Sequence, residues 1–160
     1  MRIFVVSDTH GNLKNAIALY DKVNANERVD CIIHCGDFRS DGVRLGEIYG
    51  QMVYAVHGNC DGGWDEEFKV VETPAGKILV IHGHVEDVKF SLDNALYLAK
   101  REECGMVCFG HTHKSVIKGQ NGVLFVNPGT ASLPKFGAKC SAAVVTATEE
   151  GFTASTVYAD

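Results

Sequence analysis

Five short apolar segments of this chain are each followed within a few residues by side chains that can bind a metal ion. Uninterrupted apolar runs of this kind are typical of strands that are buried on both faces. The runs and the polar residues behind them are Ile3–Val6 with Asp8 and His10, Cys31–Ile33 with Asp37, Met52–Val56 with Asn59, Ile78–Ile81 with His82 and His84, and Met106–Phe109 with His111 and His113. Because α/β sheets bind ligands beyond the carboxyl ends of their strands, the pattern predicts one convergent metal site.

Each polar residue also has an ordinary structural explanation when it is taken alone. Asp8 fits a turn before a helix, and Asp37 and Asn59 each fit a glycine-bounded turn. His34 lies inside an apolar run, where a hydrogen-bonded core histidine is more common than a metal ligand. Five separate strands would all have to end in such groups by coincidence, and we therefore favour a shared site.

Three pairs of candidate ligands are separated by one residue, as Asp8 and His10 are. Extended backbone points residues i and i+2 to the same side, so we expect each pair to act together from an extended strand end. Six to eight nitrogen and oxygen groups without an obvious cysteine ligand suit two adjacent first-row dications better than one structural zinc ion.

The order of the apolar segments predicts a single α/β domain that covers residues 1–160. Alternating strands and helices come first, followed by a hairpin, a further helix and several antiparallel strands. The predicted helices are one after Asn12 that carries Leu13, Ile17, Tyr20 and Val23, one at 41–49 anchored by Val43 and Ile48, and one at 91–103 capped by Gly105. This order favours two packed mixed sheets covered by helices.

Composition excludes several classes of partner. The chain has 15 basic and 20 acidic residues, a formal net charge of −5 and no run of Lys or Arg, which argues against binding of long nucleic acid. We see no signal peptide and no apolar stretch near the roughly 18 residues of a membrane span. The six cysteines show no CxxC spacing, so we expect a cytoplasmic protein with reduced, mostly buried thiols.

The polar motifs resemble those of the calcineurin-like metallophosphoesterase superfamily, in the same order along the chain. They are Asp8-x-His10, Gly36-Asp37, Gly58-Asn59-Cys60-Asp61, His82-Gly83-His84 and Gly110-His111-Thr112-His113. The compact size, the Gly-Asn-Cys-Asp form and Asn127-Pro128-Gly129-Thr130 look like the small bacterial and archaeal phosphodiesterase branch. The resemblance covers residues 3 to about 135 and implies a four-layer α/β sandwich.

The resemblance also implies a dinuclear site. Asp8, His10 and His113 would hold the first ion, Asn59, His82 and His111 the second, and Asp37 would bridge them. A hydroxide between the two ions would attack phosphorus. We expect Mn²⁺, with Fe, Co, Ni or Zn as alternatives, because mixed imidazole and carboxylate ligands accept all of them.

Position 60 departs from the wider superfamily, many members of which have a histidine there that can protonate the leaving group. The neutral thiol of Cys60 is a poor replacement for imidazolium, so we predict activity on small phosphodiesters with good leaving groups. Besides Asp37, the predicted catalytic residues are Asn59 and His84, and both are also expected to contact the phosphate, together with Arg39. A structural hydrogen bond to a metal ligand is an equal alternative for His84, whereas for Arg39 an exposed loop cation is the commoner interpretation.

Two other functions stay open at this point. The chain could be a protein-binding scaffold with weak or no activity, as a similar retromer subunit is thought to be, or a nucleotide phosphatase or pyrophosphohydrolase. All seven expected ligand positions are retained, which favours the enzyme. A strand edge in the carboxyl third offers a way for copies of the chain to form a homo-oligomer.

Overall fold

The computed structural model describes residues 1–62 and 68–160, and these residues form ten strands and three helices. The elements are β1 (Arg2–Val6), α1 (Lys14–Asn26), β2 (Cys31–His34), α2 (Arg39–Tyr49), β3 (Met52–Ala55), β4 (Phe68–Thr73), β5 (Gly76–Ile81), α3 (Asp93–Arg101), β6 (Cys104–Cys108), β7 (Ser115–Gln120), β8 (Val123–Pro128), β9 (Ser141–Thr148) and β10 (Gly151–Tyr158). None of these helices is long and apolar enough to cross a membrane.

The strands form two mixed five-stranded sheets, which confirms the predicted fold class. The first sheet has the order β10-β9-β1-β2-β3, and the second has the order β4-β5-β6-β8-β7. In the first sheet β1, β2 and β3 are parallel, and in the second β5, β6 and β8 are parallel. The loops that leave five of these strands, β1, β2, β3, β5 and β6, carry the candidate ligands.

Three apolar clusters divide the molecule into four layers. The central cluster packs side chains of the two sheets together, with Val5, Ile33, Val80 and Met106 among its buried members. A second cluster lies under α1 and α2, and a third lies between α3 and the second sheet. Because apolar residues of β1, β2, β5 and β6 face both a helix layer and the opposing sheet, their sequences are apolar without alternation.

The predicted anchors of α2 are wrong. Val43 and Ile48 are 43% and 51% exposed, whereas Leu45, Gly42 and Gly46 are buried. A Cβ atom at Gly46 would lie 2.4 Å from Val53 Cγ2, and one at Gly42 would lie 2.7 Å from His34 Cβ. The helix thus packs against β2 and β3 through its glycines, a contact that hydrophobic periodicity does not reveal.

The capping prediction for α3 is also wrong. Gly105 lies inside β6, and the left-handed residue after the helix is Glu103, with φ of 59°. Asn121 and Gly122 have φ of 49° and 79° and connect β7 to β8. This conformation is typical of a two-residue hairpin turn. Subunit pairing through the carboxyl-third edge strands β7 and β10 stays a prediction.

Replacing Gly46 with alanine tests the packing of α2. We expect Gly46→Ala to lower the free energy of unfolding by about 1–2 kcal/mol, because the clash with Val53 outweighs the better helix propensity of alanine. Val43→Ala, on the exposed face of the same helix, is the matched control and should change it by less than about 0.5 kcal/mol. Urea titration measures both values, and a larger loss for Val43→Ala would contradict the observed packing.

Candidate metal centre

One carboxylate oxygen of Asp8 faces the candidate ligands, and the other accepts hydrogen bonds from the protein. The residue is fully buried at the end of β1. Its Oδ2 accepts hydrogen bonds from Ser7 Oγ at 2.6 Å and from the backbone N–H of His111 at 3.2 Å. Its Oδ1 lies 3.1 Å from His113 Nε2 and 3.8 Å from His10 Nε2. Oδ1 is therefore the oxygen that faces the imidazoles.

Asp37 is held in a similar way, and its carboxylate contacts His10 and His82. Its Oδ1 accepts a hydrogen bond from the backbone N–H of Cys60 at 3.0 Å. Its Oδ2 lies 3.6 Å from His10 Nε2 on one side and 3.5 Å from His82 Nε2 on the other. A single carboxylate oxygen is thus shared by the two histidines.

Backbone carbonyl groups orient two of the imidazoles. His82 Nδ1 donates to the carbonyl oxygen of Cys35 at 2.6 Å, and His113 Nδ1 donates to that of Leu133 at 3.2 Å. These roles follow from the partners, because a carbonyl oxygen only accepts. In both residues Nε2 is then the nitrogen that faces the aspartates, and metal-binding histidines are commonly fixed in this manner.

Asp8, His10, Asp37 and His113 form the most compact group. Their ligand atoms all lie within 4.8 Å of one another, and no other set of three or more His, Cys, Asp or Glu residues in the described chain is as close. Asp8 Oδ1 and His10 Nε2 are buried and make no well-directed hydrogen bond to a described residue. Because buried polar atoms are normally paired, this group fits a bound cation.

The other candidate ligands lie on the far side of Asp37. Asn59 Oδ1 is 3.1 Å from His82 Nε2, and the rings of His82 and His111 are 5.1 Å apart between centroids. The ring of His84 lies 5.4 Å from that of His82 and 6.2 Å from that of His111. Asn59 is exposed, whereas His82 is buried. This side is more open than the compact group, and His84 lies at its edge.

The two aspartates favour positive charge on the imidazoles of His82 and His113. Burial would raise the pKa of Asp37, but hydrogen bonds from His82 and from Cys60 N–H keep it well below its usual range. Contact with the Asp8 carboxylate raises the pKa of His113. Burial would lower the pKa of His82, but the hydrogen bond to Asp37 and the charge of Asp8 outweigh it and raise the value.

The pKa values of His111 and His34 are lowered instead. Burial, followed by the nearby charges of His82 and Lys89, lowers the pKa of His111 to about 4. Burial likewise lowers the pKa of His34 to about 4. His34 Nε2 contacts Thr9 Oγ1 at 3.0 Å, and its Nδ1 accepts a hydrogen bond from Gly36 N–H. His34 is thus the hydrogen-bonded core residue that its sequence context favours.

The loops that carry the ligands adopt left-handed backbone, which corrects the expectation of extended strand ends. The φ angles of Asp8, His10, Asp37, His111 and His113 are 55°, 47°, 47°, 67° and 60°. Residues other than glycine rarely adopt this conformation, and it clusters at functional sites. The side chains converge because the chain turns sharply after each strand, rather than because residues i and i+2 share a side.

Hydrogen bonds from other residues hold these strained loops. Thr130 Oγ1 and Ser132 Oγ each donate to the carbonyl oxygen of Asp8 at 2.9 Å. Asn127 Nδ2 donates to the carbonyl oxygen of Gly110 and to Thr112 Oγ1, both at 3.0 Å. The end of β8 and the segment that follows it therefore support two ligand loops.

Asp61 is a site residue that sequence reasoning missed. Its Oδ2 accepts from the backbone N–H groups of Asp37 and Gly58 at 3.1 and 2.6 Å, and its Oδ1 accepts from that of Arg39 at 2.7 Å. One carboxylate thus ties the Asp37 loop to the Asn59 loop. Its place three residues after Gly58 is the one sequence signal that could have indicated a loop-bridging acceptor.

Arg39 lies outside the compact group of Asp8, His10, Asp37 and His113. It begins α2 and lines a neighbouring cavity of about 520 Å³ together with Arg44, His57 and Asp61. None of the seven predicted ligands lines that cavity. Contact between Arg39 and a phosphate stays a prediction.

Comparison with known proteins gives a consistent result. The calcineurin-like phosphoesterase superfamily domain matches residues 1–150. The chain is 35% identical over 147 residues to the probable metallophosphoesterase YsnB of Bacillus subtilis (91% of this chain, 84% of YsnB). It is 32% identical over 146 residues to the phosphodiesterase MJ0936 of Methanocaldococcus jannaschii (81% of this chain, 83% of MJ0936).

A solved structure of low sequence identity shares the fold. The crystal structure of wild-type Vps29 of Entamoeba histolytica in complex with Zn²⁺ superimposes with a TM-score of 0.78, covers 99% of both chains and is 18% identical. At this identity the likeness concerns the fold alone.

Removing the Asp61 carboxylate should lower both the stability of the protein and its affinity for metal ions, although no candidate ligand is changed. Asp61→Ala leaves three backbone N–H groups without their acceptor, so we expect a loss of about 2–4 kcal/mol in the free energy of unfolding. Mn²⁺ affinity, measured by calorimetry, should fall about 10–100-fold. Asp61→Asn keeps one acceptor oxygen and should give an intermediate result, whereas an unchanged Mn²⁺ affinity in both variants would show that Asp61 does not position the site.

Proposed function

The chain belongs to the calcineurin-like phosphoesterase superfamily, and from this premise we propose that it is a dinuclear metal-dependent phosphodiesterase. The observation that carries the proposal is the position of Asp37 Oδ2, which lies 3.6 Å from His10 Nε2 and 3.5 Å from His82 Nε2. A carboxylate oxygen between two groups of imidazoles suits a bridging ligand.

The proposed ligand sets follow from this position. Asp8, His10 and His113 hold one ion, and their closeness and the unsatisfied Asp8 Oδ1 support this assignment. Asn59, His82 and His111 hold the other, and the contact between Asn59 Oδ1 and His82 Nε2 supports it. Asp37 belongs to both sets. Mn²⁺ is the proposed ion, with Fe, Co, Ni or Zn as alternatives of the same ligand chemistry.

Divalent ions in such a site neutralise phosphate charge and lower the pKa of water. The protein's own residues position the substrate. Asn59 and His84 lie on the open side of the cluster, where they contact the phosphate oxygens, and His84 is also placed to assist the leaving group. Backbone carbonyls hold the buried His82 and its counterpart His113 in fixed orientations, so little reorganisation is needed when substrate binds.

Cys60 sets the preference for phosphodiesters with good leaving groups. Cys60 is an exposed residue beside Asn59. Partial desolvation of its thiol and the nearby charge of Asp37 raise its pKa. It therefore stays neutral at pH 7 and supplies no positive charge and little acid catalysis. The proposed substrate is a small phosphodiester whose leaving alcohol departs without a strong acid, and phosphomonoesters of alkyl alcohols are poor substrates.

Reconstitution with metal ions and removal of the bridging carboxylate test the proposal. The metal-free protein should gain turnover of bis(4-nitrophenyl) phosphate on addition of Mn²⁺, and Asp37→Asn should reduce kcat by at least about 10³-fold. Asp160→Asn makes the same chemical change at an exposed position near the chain end and should leave kcat unaltered.

The outcome also distinguishes the alternatives. A folded, cation-bound protein without turnover of any diester would favour a binding scaffold of the same fold. Faster turnover of nucleoside diphosphates or triphosphates than of diesters would favour a nucleotide phosphatase or pyrophosphohydrolase.

A further inference from the structure

A cavity of about 810 Å³ opens directly beside the candidate metal centre. His113, a proposed ligand, forms part of its wall. Its wall also includes Lys114, Lys135, Phe136 and Lys139. The volume lies in the range of small-molecule sites. His113 thus belongs both to the candidate metal centre and to the wall of this cavity.

A second cavity, of about 500 Å³, adjoins the first. The two share Lys114, Lys135 and Phe136. The second adds Lys89 and an apolar wall that includes Leu92 and Phe109. Four lysines thus surround two neighbouring cavities on the His113 side of the site.

The positive charge of these cavities is not neutralised within the described chain. No acidic residue of that part of the chain lines either cavity, and none of the four lysines forms an ion pair there. By contrast, Lys22 pairs with Asp160 and Lys77 with Glu103. The chain as a whole carries a formal charge of −5, so four lysines around two adjoining cavities without an acidic lining residue form a local positive region.

Phe136 adds a recognition element between the two cavities. Its side chain is 97% exposed, and its backbone has φ of 54°. A bulky residue in left-handed backbone is uncommon and marks a constrained position. An exposed aromatic ring beside lysines can stack on a planar group of a ligand. The wall therefore offers both a stacking surface and anion-binding groups.

We propose that the substrate is a phosphodiester that carries a second phosphate group, which Lys114, Lys135 and Lys139 bind while Phe136 contacts the organic group between the two phosphates. This proposal rests on the proposed function, since the scissile diester occupies the metal centre. Lysine binds phosphate as a point charge. The substrate class is accordingly a nucleotide-like diester with a terminal phosphate, rather than an uncharged aryl or alkyl diester.

The first test compares two substrates that differ only in the second phosphate. These are the 4-nitrophenyl ester of thymidine 3′-phosphate and the same ester with an added 5′-phosphate. We expect the 5′-phosphate to raise kcat/KM about tenfold, mainly through KM, since the lysines bind substrate and do not touch the scissile bond. The gain should shrink as ionic strength rises.

Variants then assign the gain to the lysines. In the double variant Lys135→Met and Lys139→Met, which keeps only Lys114 of the three lysines, the ratio of the two kcat/KM values should fall to about 2 or less, with kcat for the unphosphorylated ester within about twofold of the original. Lys100→Met removes an exposed lysine beside Gly122, at the opposite end of β8 from the site, and should keep the ratio. A ratio near 1 in the original protein, or a ratio that survives in the double variant, would overturn the proposal.

Binding separates this proposal from the proposed function. Calorimetry on the Mn²⁺-loaded protein compares thymidine 3′,5′-bisphosphate with thymidine 3′-phosphate. Tighter binding of the bisphosphate by about tenfold, lost in the double variant, supports the subsite even if neither ester is hydrolysed, in which case only the catalytic assignment fails. Equal affinities for the two nucleotides would refute the subsite even in an active enzyme.

Discussion

The shared carboxylate of Asp37 is the interaction on which the rest of the site depends. Its Oδ1 is fixed by the backbone N–H of Cys60, and its Oδ2 lies between His10 and His82. Two sheets contribute to this arrangement, because His10 follows β1 and His82 follows β5. The packing of the sheets against each other therefore determines the spacing of the two histidine groups.

The ligand loops are strained, and the surrounding structure supplies the hydrogen bonds that hold them. Five candidate ligands adopt left-handed backbone, at a cost on the order of 1 kcal/mol or more each. Thr130 and Ser132 bind the carbonyl of Asp8, while Asp61 binds three backbone N–H groups of two loops. Close packing adds to this restraint, since a Cβ at Gly58 would lie 2.1 Å from Asp37 Oδ1. Rigid placement of this kind reduces the reorganisation that catalysis requires.

Charge is divided between two neighbouring regions. The carboxylates of Asp8 and Asp37 raise the pKa values of His113 and His82, so the centre attracts cations. The adjoining cavities carry lysines without carboxylate partners in the described chain. A substrate with two anionic groups would meet a cation-loaded centre and a lysine-lined wall side by side.

The sequence predicted those parts of the molecule that follow from local pattern. Apolar runs located the strands, and the polar residues behind them located the compact group of Asp8, His10, Asp37 and His113. Glycine-mediated packing of α2 was missed because an absent side chain leaves no hydrophobic signal. The left-handed turns were missed because Asp and His, although enriched in this conformation among non-glycine residues, adopt it in few of their occurrences. The role of Asp61 was missed because its partners are backbone groups, two of which lie 24 and 22 residues away.

Anomalous diffraction from Mn²⁺-loaded crystals tests the central claim most directly. The shared position of Asp37 predicts two Mn²⁺ peaks about 3.5–4 Å apart, both bound by the Asp37 carboxylate, one next to Asp8, His10 and His113 and the other next to Asn59, His82 and His111. A single peak at saturating Mn²⁺, or two peaks without Asp37 between them, would contradict the dinuclear assignment.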